Sequence, residues 1–553
     1  MSKEEGNMKE YDVIVIGGGP NGLTCAGYLC KAGANVLILD KKHEMGGGLY
    51  TDQFTTPFRF NLHAIYMFLS ELMPPYRDLE LQRRGVVFVR PDTQIAFLFK
   101  DGRALVFYVD PEKSAQSISQ FSKRDSETFK KMYREFKEMA DEILIPATYA
   151  PPVPVLDNIV LLSKTELGKK LMEVSEKTPR EIIEHFGFED SRVKASLLYL
   201  ATIWGIHPDS KSIGYLVPIW VYRMMNSSLV RGGSHSLASA LHNVIVTNKG
   251  TPLDWSEVEK IIIEGGVAKG VILKDGREFR AKAVISTLDP QDTFLKLAGK
   301  PNLPKDLAAA VEKWEWEKWS FFQAHFGIKG EPPRYKASEF NPDVNSALIQ
   351  IMGFESPEDI DKHIEDMAAG RLPEPAGHVT CTTIHDPSQS SSGPYGPLHT
   401  LRWESWAPYE LAGQQWDEIN KDYGKKCFEK WVEYAPNLAE ARVLFNFAYS
   451  PLDTERRLVN MKRGSIKHGS YTMLQMGYLR PNESCSSYRT PIKNLYVGGA
   501  SAYPGGMVLL GSGYNCARVV AEDLGFKVWW KPPEYVVRAQ EKGYLAKAKA
   551  GTS

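Results

Sequence analysis

Apolar and polar positions along the chain fall into segments of two periods. Residues 11–16, YDVIVI, are apolar without helical spacing and read as a strand; 23–31 have helical spacing; 35–39 form a second short apolar run. Strand, turn and helix return near the other end, where 494–497 read as a strand and 511–523 as a helix, with glycine and proline between them. A third set lies in the middle: a helix over 234–246, strands at 257–264 and 267–273 joined by Gly265-Gly266, and a strand at 283–286. Elsewhere the texture changes. Strands near 86–89, 94–99 and 104–109 lead into largely helical sequence up to about 227, whereas 301–484 mix strands near 321–328, 378–383 and 399–403 with a long helix over about 408–432. No internal repeat is visible, and the Ser/Gly/Pro stretch 388–397 reads as a surface loop.

The turn after the first strand is GGGPNG. Gly17 permits the tight turn, Gly19 lets the backbone approach a pyrophosphate, and Gly22 lets the helix pack closely on the strand. Pro20 and Asn21, between them, belong to the same site. Phosphates would face the helix N-terminus, where free N–H groups and the helix dipole favour negative charge. Asp40 ends the second apolar run, placed to accept hydrogen bonds from ribose hydroxyls and to repel a 2′-phosphate; Lys41 adjoins it. Strand, glycine turn, helix and acid in register indicate a dinucleotide site.

A further cluster, Gly46-Gly47-Gly48, follows the second strand, where an NAD domain needs no close backbone approach. FAD lies extended and needs contacts beyond the first βαβ unit. The C-terminal Gly498-Gly499 and Pro504-Gly505-Gly506 turns supply candidates, so both ends of the chain are expected to fold onto one cofactor. The expected fold class is α/β: a discontinuous Rossmann-like FAD-binding domain over 9–70, 228–300 and 485–530, a mixed-sheet substrate domain over 71–110 and 301–484, a helical subdomain over 111–227, and a C-terminal arm over 531–553.

The chain resembles the phytoene desaturase-like flavoproteins, the carotenoid oxidoreductase branch of the FAD-linked amine oxidase superfamily. The likeness runs nearly end to end, through GGGPNGL, RGGSHSLASAL, VEKIIIEGGVAKGVILKDG, AVIST, TTIHDPS, YRTPIKNLYVGGASAYPGG and GYNCARV. It implies FAD contacts at Gly17, Gly19, Gly22, Asp40, Gly46 and Gly47. It also implies that the Val258 backbone meets the adenine, and that Gly499, Ala500 and the backbone of Gly505, Gly506 and Met507 lie along the ribityl chain and flavin. Three departures stand out. Asp40 replaces the usual glutamate, and Gly48 replaces the family's arginine. Gly499-Ala500 stands where the wider superfamily often has Gly-Asp, which leaves pyrophosphate contacts there to backbone or to Ser501. Met507, Leu509 and Leu510 make the last turn unusually apolar and are expected beside the ring.

Composition narrows the reading. A chain of 553 residues, 43% hydrophobic, can bury substantial cores in several domains. With 67 basic and 67 acidic residues, it has no charge excess to steer nucleic acid. Cys25, Cys30, Cys381, Cys427, Cys485 and Cys516 form no CxxC pair and read as buried small hydrophobes. A charged N-terminus and the lack of a twenty-residue apolar run predict a cytoplasmic protein, with peripheral membrane contact left open. Residues 213–225, apolar apart from Arg223, could line a channel, rest on a membrane surface or pack in the core; Trp529-Trp530 could anchor at an interface or simply pack.

No hydrolytic triad or metal-ligand cluster is evident. His63 in FNLHAIY and His468 in GSIKHGSY are the candidate proton-exchanging residues, each with a purely structural alternative. Flavin carries hydride chemistry itself, so few titratable groups are required. The resemblance implies an oxidoreductase that desaturates or allylically oxidises an apolar isoprenoid, a carotenoid precursor or shorter terpenoid, passing electrons to an acceptor the sequence does not name. A redox-neutral polyene isomerase and a non-catalytic flavin-holding scaffold or partner subunit remain open, as do homo- and hetero-oligomers.

Overall fold

The computed structural model describes residues 10–391 and 396–547; the first nine residues, the middle of the 388–397 loop and the end of the C-terminal arm lie outside the described residues. Tyr11–Ile16 is the centre of a seven-stranded sheet, and Val13, Ile14 and Val15 have no exposed surface. A parallel strand covered on both faces requires such a continuous apolar run. Val36–Leu39 pairs with it on one side and Glu278–Ser286 on the other, both in parallel. Thr251–Leu253 extends one edge in parallel and Leu495–Val497 joins the far half of Glu278–Ser286. The near half of that strand continues into the antiparallel hairpin Val258–Glu264 and Val267–Leu273. The parallel strands therefore end side by side at Ile16, Leu39, Ser286 and Val497, although 481 residues separate the first from the last. Helices Pro20–Lys31 and Gly511–Asp523 pack against each other beneath this edge.

A second seven-stranded sheet runs in the order Arg442–Tyr449, Trp319–Lys329, Leu398–Pro408, Gly377–Cys381, Ile349–Met352, Thr93–Leu98, Ala104–Tyr108. It is antiparallel except for the pairing of Ile349–Met352 with Thr93–Leu98. Helices cover both faces, Lys123–Met139 on one and Trp416–Tyr434 on the other. In Lys123–Met139, Phe129, Met132, Tyr133 and Phe136 recur at helical spacing and are buried, and Ser122 caps the helix by accepting from the Asp125 N–H.

Several elements differ from their sequence reading. The strand expected at 399–403 extends over Leu398–Pro408, paired residue for residue with Trp319–Lys329, so the helix expected from about 408 begins only at Trp416. Of 86–89, only Phe88–Val89 is strand. The 213–225 segment contains the helix Leu216–Met224, whose apolar side chains are buried in the same cluster as those of Lys123–Met139 and Ser191–Thr202; it is a core helix. Trp529 and Trp530 pack on Tyr28, at 5.6 and 4.8 Å between ring centroids. All six cysteines are free and buried, and no described helix is long and apolar enough to cross a membrane.

Candidate active site

At the carboxyl edge of the first sheet, the backbone itself walls a cavity of ≈ 620 Å³. Such crevices outside the strand ends of open α/β sheets are where ligands bind. Gly17 has φ +97°, a left-handed value, and a Cβ there would lie 2.4 Å from Thr287 Oγ1. A Cβ on Gly22 would lie 2.0 Å from the Gly17 carbonyl oxygen, and one on Gly499 2.2 Å from the Thr287 carbonyl oxygen. Gly19 is different: a Cβ there would meet no atom within 4 Å, because its Cα faces the cavity. It precedes helix Pro20–Lys31, whose N-terminus has no side-chain cap and no acidic residue in its first turn. An uncapped helix start opening into a cavity is suited to an anion.

Asp40 stands beside this turn. Its carboxylate accepts from the Gly18 N–H at 2.7 Å and the Lys42 N–H at 2.9 Å, which leaves lone pairs for a ligand. Burial raises its pKa, opposed by those two N–H groups. Thr287, directly after the strand Glu278–Ser286, donates to the Ile16 carbonyl at 2.9 Å and so ties the first glycine turn to the strand beside Leu495–Val497. The Asn21 side chain accepts from the Gly513 N–H at 3.3 Å, a direct link between the two glycine segments.

The opposite wall comes from the second sheet. Gln323, Glu404 and His378 are cross-strand neighbours on three adjacent strands and share one face. Glu404 accepts from Arg402 at 2.6 Å, Gln323 at 3.2 Å and His378 at 3.0 Å. Its pKa is lowered: burial opposes ionisation, but the Arg402 guanidinium and the His378 hydrogen bond overcome it. Arg402 also donates to the carbonyls of Asn61 and His63, both at 2.9 Å. Tyr66, Phe68 and Trp204 complete an aromatic flank.

Between the walls lie two loops. Arg480, fully buried, donates to the carbonyls of Gln475, Lys467 and Ala500 at 2.9, 2.7 and 3.1 Å and fixes them together. The turn after Gly506 puts Met507 at φ +70°, Val508 at +53° and Leu510 at +59°. Left-handed backbone at non-glycine residues is strained, above all at a β-branched valine, and such strain gathers at functional sites. His63 and His468 both line the cavity. Burial lowers their pKa values to about 3 and about 4, so both rings are neutral at neutral pH.

Comparison with known proteins bears on this arrangement. Residues 15–79 match the family model for an NAD(P)-binding Rossmann-like domain. Over 547 residues the chain is 44% identical to one of the subunits of the limonene dehydrogenase of Castellaniella defragrans, covering 97% of this chain and 99% of that one. The chain belongs to the phytoene desaturase-like family of FAD-dependent oxidoreductases. The lycopene-forming phytoene desaturase of a Paracoccus species is 24% identical, covering 92% of this chain and 97% of that one. A redesigned variant of putrescine oxidase shares the fold, with a TM-score of 0.59 and 14% identity over 94% of this chain and 99% of its own.

The residues suit the family's cofactor. An open Cα at Gly19, an uncapped helix start and a carboxylate with free lone pairs are what a pyrophosphate and ribose require. Of the expected site residues, Gly17, Gly19, Pro20, Asn21, Gly22, Asp40, Lys41, Gly47, Gly48, Val258, Gly499, Ala500, Gly506, Met507, His63 and His468 all line the one cavity. Gly46 and Gly505 do not. Gly46 donates to the Gly18 carbonyl at 2.8 Å, and a Cβ on Gly505 would lie 2.5 Å from the Tyr471 hydroxyl, so both shape turns behind the wall. Ser501 does not reach the cavity either; its hydroxyl donates to the His468 carbonyl at 3.0 Å. Leu509 and Leu510 are buried behind Met507 and Val508, so the apolar wall is shorter than expected. Sequence reading missed Thr287, Arg402, Glu404, Arg457 and Arg480. The one signal was the alternation Arg402, Glu404, two charges on one face of a strand.

Proposed function

We propose that this protein binds FAD in the cradle formed by Gly17, Gly19, Gly22, Asp40, Thr287 and Gly499, and oxidises an apolar isoprenoid of the terpenoid class. The observation that carries the reading is the continuity of the cavity, from an anion-accepting backbone cradle to an aromatic wall on the second sheet. When bound, FAD supplies the hydride acceptor. The chain's own contribution is to hold the cofactor by backbone, to place substrate against Met507, Val508 and Ile466, and to exclude water with Tyr66, Phe68 and Trp204. His63 and His468, held neutral by burial, can accept or donate a hydrogen bond there but are poor proton acceptors.

Anaerobic incubation of the FAD-loaded protein with a panel of cyclic and acyclic terpenes tests this. Flavin bleaching with a more oxidised product is expected. Rearranged product without net bleaching would assign a redox-neutral isomerase instead, and no response to any member would remove the terpenoid reading. Because the 44%-identical relative is one subunit of a larger dehydrogenase, we include a partner chain in the proposal. Light scattering on protein isolated from its native source should give a particle heavier than one 62.1 kDa chain, with a second polypeptide in it; a fully active single chain would exclude the partner.

A further inference from the structure

A hydrocarbon needs only apolar walls, yet the second-sheet end of the cavity carries a charged network, and beside it a histidine ring with both nitrogens unpaired. Glu404, Arg402, Gln323 and His378 hydrogen-bond to one another, leaving only the Arg402 Nε over, and Tyr199 lies 3.2 Å from the remaining His378 nitrogen. His63 sits over this network with its carbonyl clamped by Arg402 at 2.9 Å. Its ring is different. His63 is only 8% exposed, lines the cavity, and neither Nδ1 nor Nε2 has a hydrogen-bond partner. Leaving a buried polar group unpaired is costly, so its persistence beside a cavity calls for a ligand.

The geometry points to a hydroxyl-binding pole at His63: the apolar ligand of this cavity carries one alcohol oxygen, which pairs with the His63 ring. The inference rests on the terpenoid reading above and deepens it from hydrocarbon to alcohol. Charge argues against a cation, since the His63 ring faces Arg402, Arg457 and Lys42 against a single carboxylate, Glu404, that is already paired. Of the groups that remain, an alcohol both donates and accepts and suits a neutral imidazole in either tautomer, and the acid probe below decides between it and an anion.

Three saturated probes that cannot be oxidised test this on the FAD-loaded protein: p-menthane, p-menthan-7-ol and the matching carboxylic acid, titrated by flavin absorbance. His63→Leu should weaken the alcohol by roughly tenfold, the loss of one buried hydrogen bond, and leave p-menthane within about twofold. His63→Gln, which retains a donor and an acceptor, should recover most of the alcohol affinity. Equal weakening of alcohol and hydrocarbon by His63→Leu would overturn the pole, as would an acid that binds more tightly than the alcohol. Loss of FAD from His63→Leu with the alcohol preference unchanged would place the ring against the cofactor and also overturn it. If neither neutral probe binds the wild-type protein, the terpenoid reading itself fails; if both bind but the variants do not discriminate, only the hydroxyl pole fails. Melting temperatures of both variants, expected within a few degrees of wild type, show that the fold is retained.

Discussion

The first sheet presents backbone to the cavity: glycines whose missing Cβ atoms make room, a helix start, and one carboxylate. The second sheet presents side chains: an arginine, a glutamate, a glutamine and a histidine held in mutual contact across three strands. Backbone recognition tolerates almost no added atom, but it carries little charge and needs no compensating partner. Side-chain recognition tolerates change in size, but each buried charge depends on another. Substitutions on the two walls should therefore fail in different ways, sterically on one and electrostatically on the other.

The largest effect should come from Gly22→Val. A Cβ 2.0 Å from the Gly17 carbonyl cannot be relieved by a side-chain rotation, so we expect loss of folded protein and of FAD together. Gly19→Val supplies the contrast, since its Cβ enters open space: the protein should fold with nearly wild-type melting behaviour but purify without FAD. Full flavin occupancy in Gly19→Val would break the assignment of the cradle.

On the other wall, Arg402→Met should cost about 3–5 kcal/mol, because it leaves the buried Glu404 carboxylate without its countercharge. The double variant Arg402→Met/Glu404→Leu should recover much of that loss in chemical denaturation. If the double variant is less stable than the single one, the pair does not act as an electrostatic unit. Asp40→Ala lies between the two cases. Its carboxylate holds two backbone N–H groups as well as a ribose, so FAD affinity and melting temperature should fall together, each bond to the charged oxygen contributing roughly 1.5–3 kcal/mol.

The most distributed effect is that of pH. His63 titrates at about 3 when folded, and His468 and His363 at about 4, against 6.5 for a free imidazole. Between those limits the unfolded chain binds more protons than the folded one, so stability is fully present above about pH 6.5 and declines as pH falls toward 4. Melting temperatures measured from pH 8 to pH 4 should show a plateau and then a fall. A rise in stability on acidification through pH 6 would show that these rings are not held neutral.

Legibility in the sequence divides along the same line as the two walls. The turn GGGPNG, Asp40 and the helix Gly511–Asp523 could be read directly, because a positive φ, a close approach or a helix start is specified by adjacent residues. The boundary between Pro408 and Trp416 could not be read, because the strand is extended there by pairing with Trp319–Lys329, which no local pattern reports. Gly46 and Gly505 looked like cofactor contacts for a related reason: a glycine that clears room for Leu49 or Tyr471 has the same local signature as one that clears room for a phosphate.

The sequence by itself determined the α/β class, the cofactor class and the family, because strand period, glycine position and motif spacing are properties of short segments. Only the tertiary structure decided that Gly17, Thr287 and Gly499 form one cradle, since three parallel strands from distant parts of the chain must end at the same edge. Only it decided that Glu404 meets Gln323 and His378, which lie 81 and 26 residues away and come into contact through strand register. A shift of one residue in any of those strands would turn its member of the network to the opposite face, so the charged wall exists only at the level of the assembled sheet.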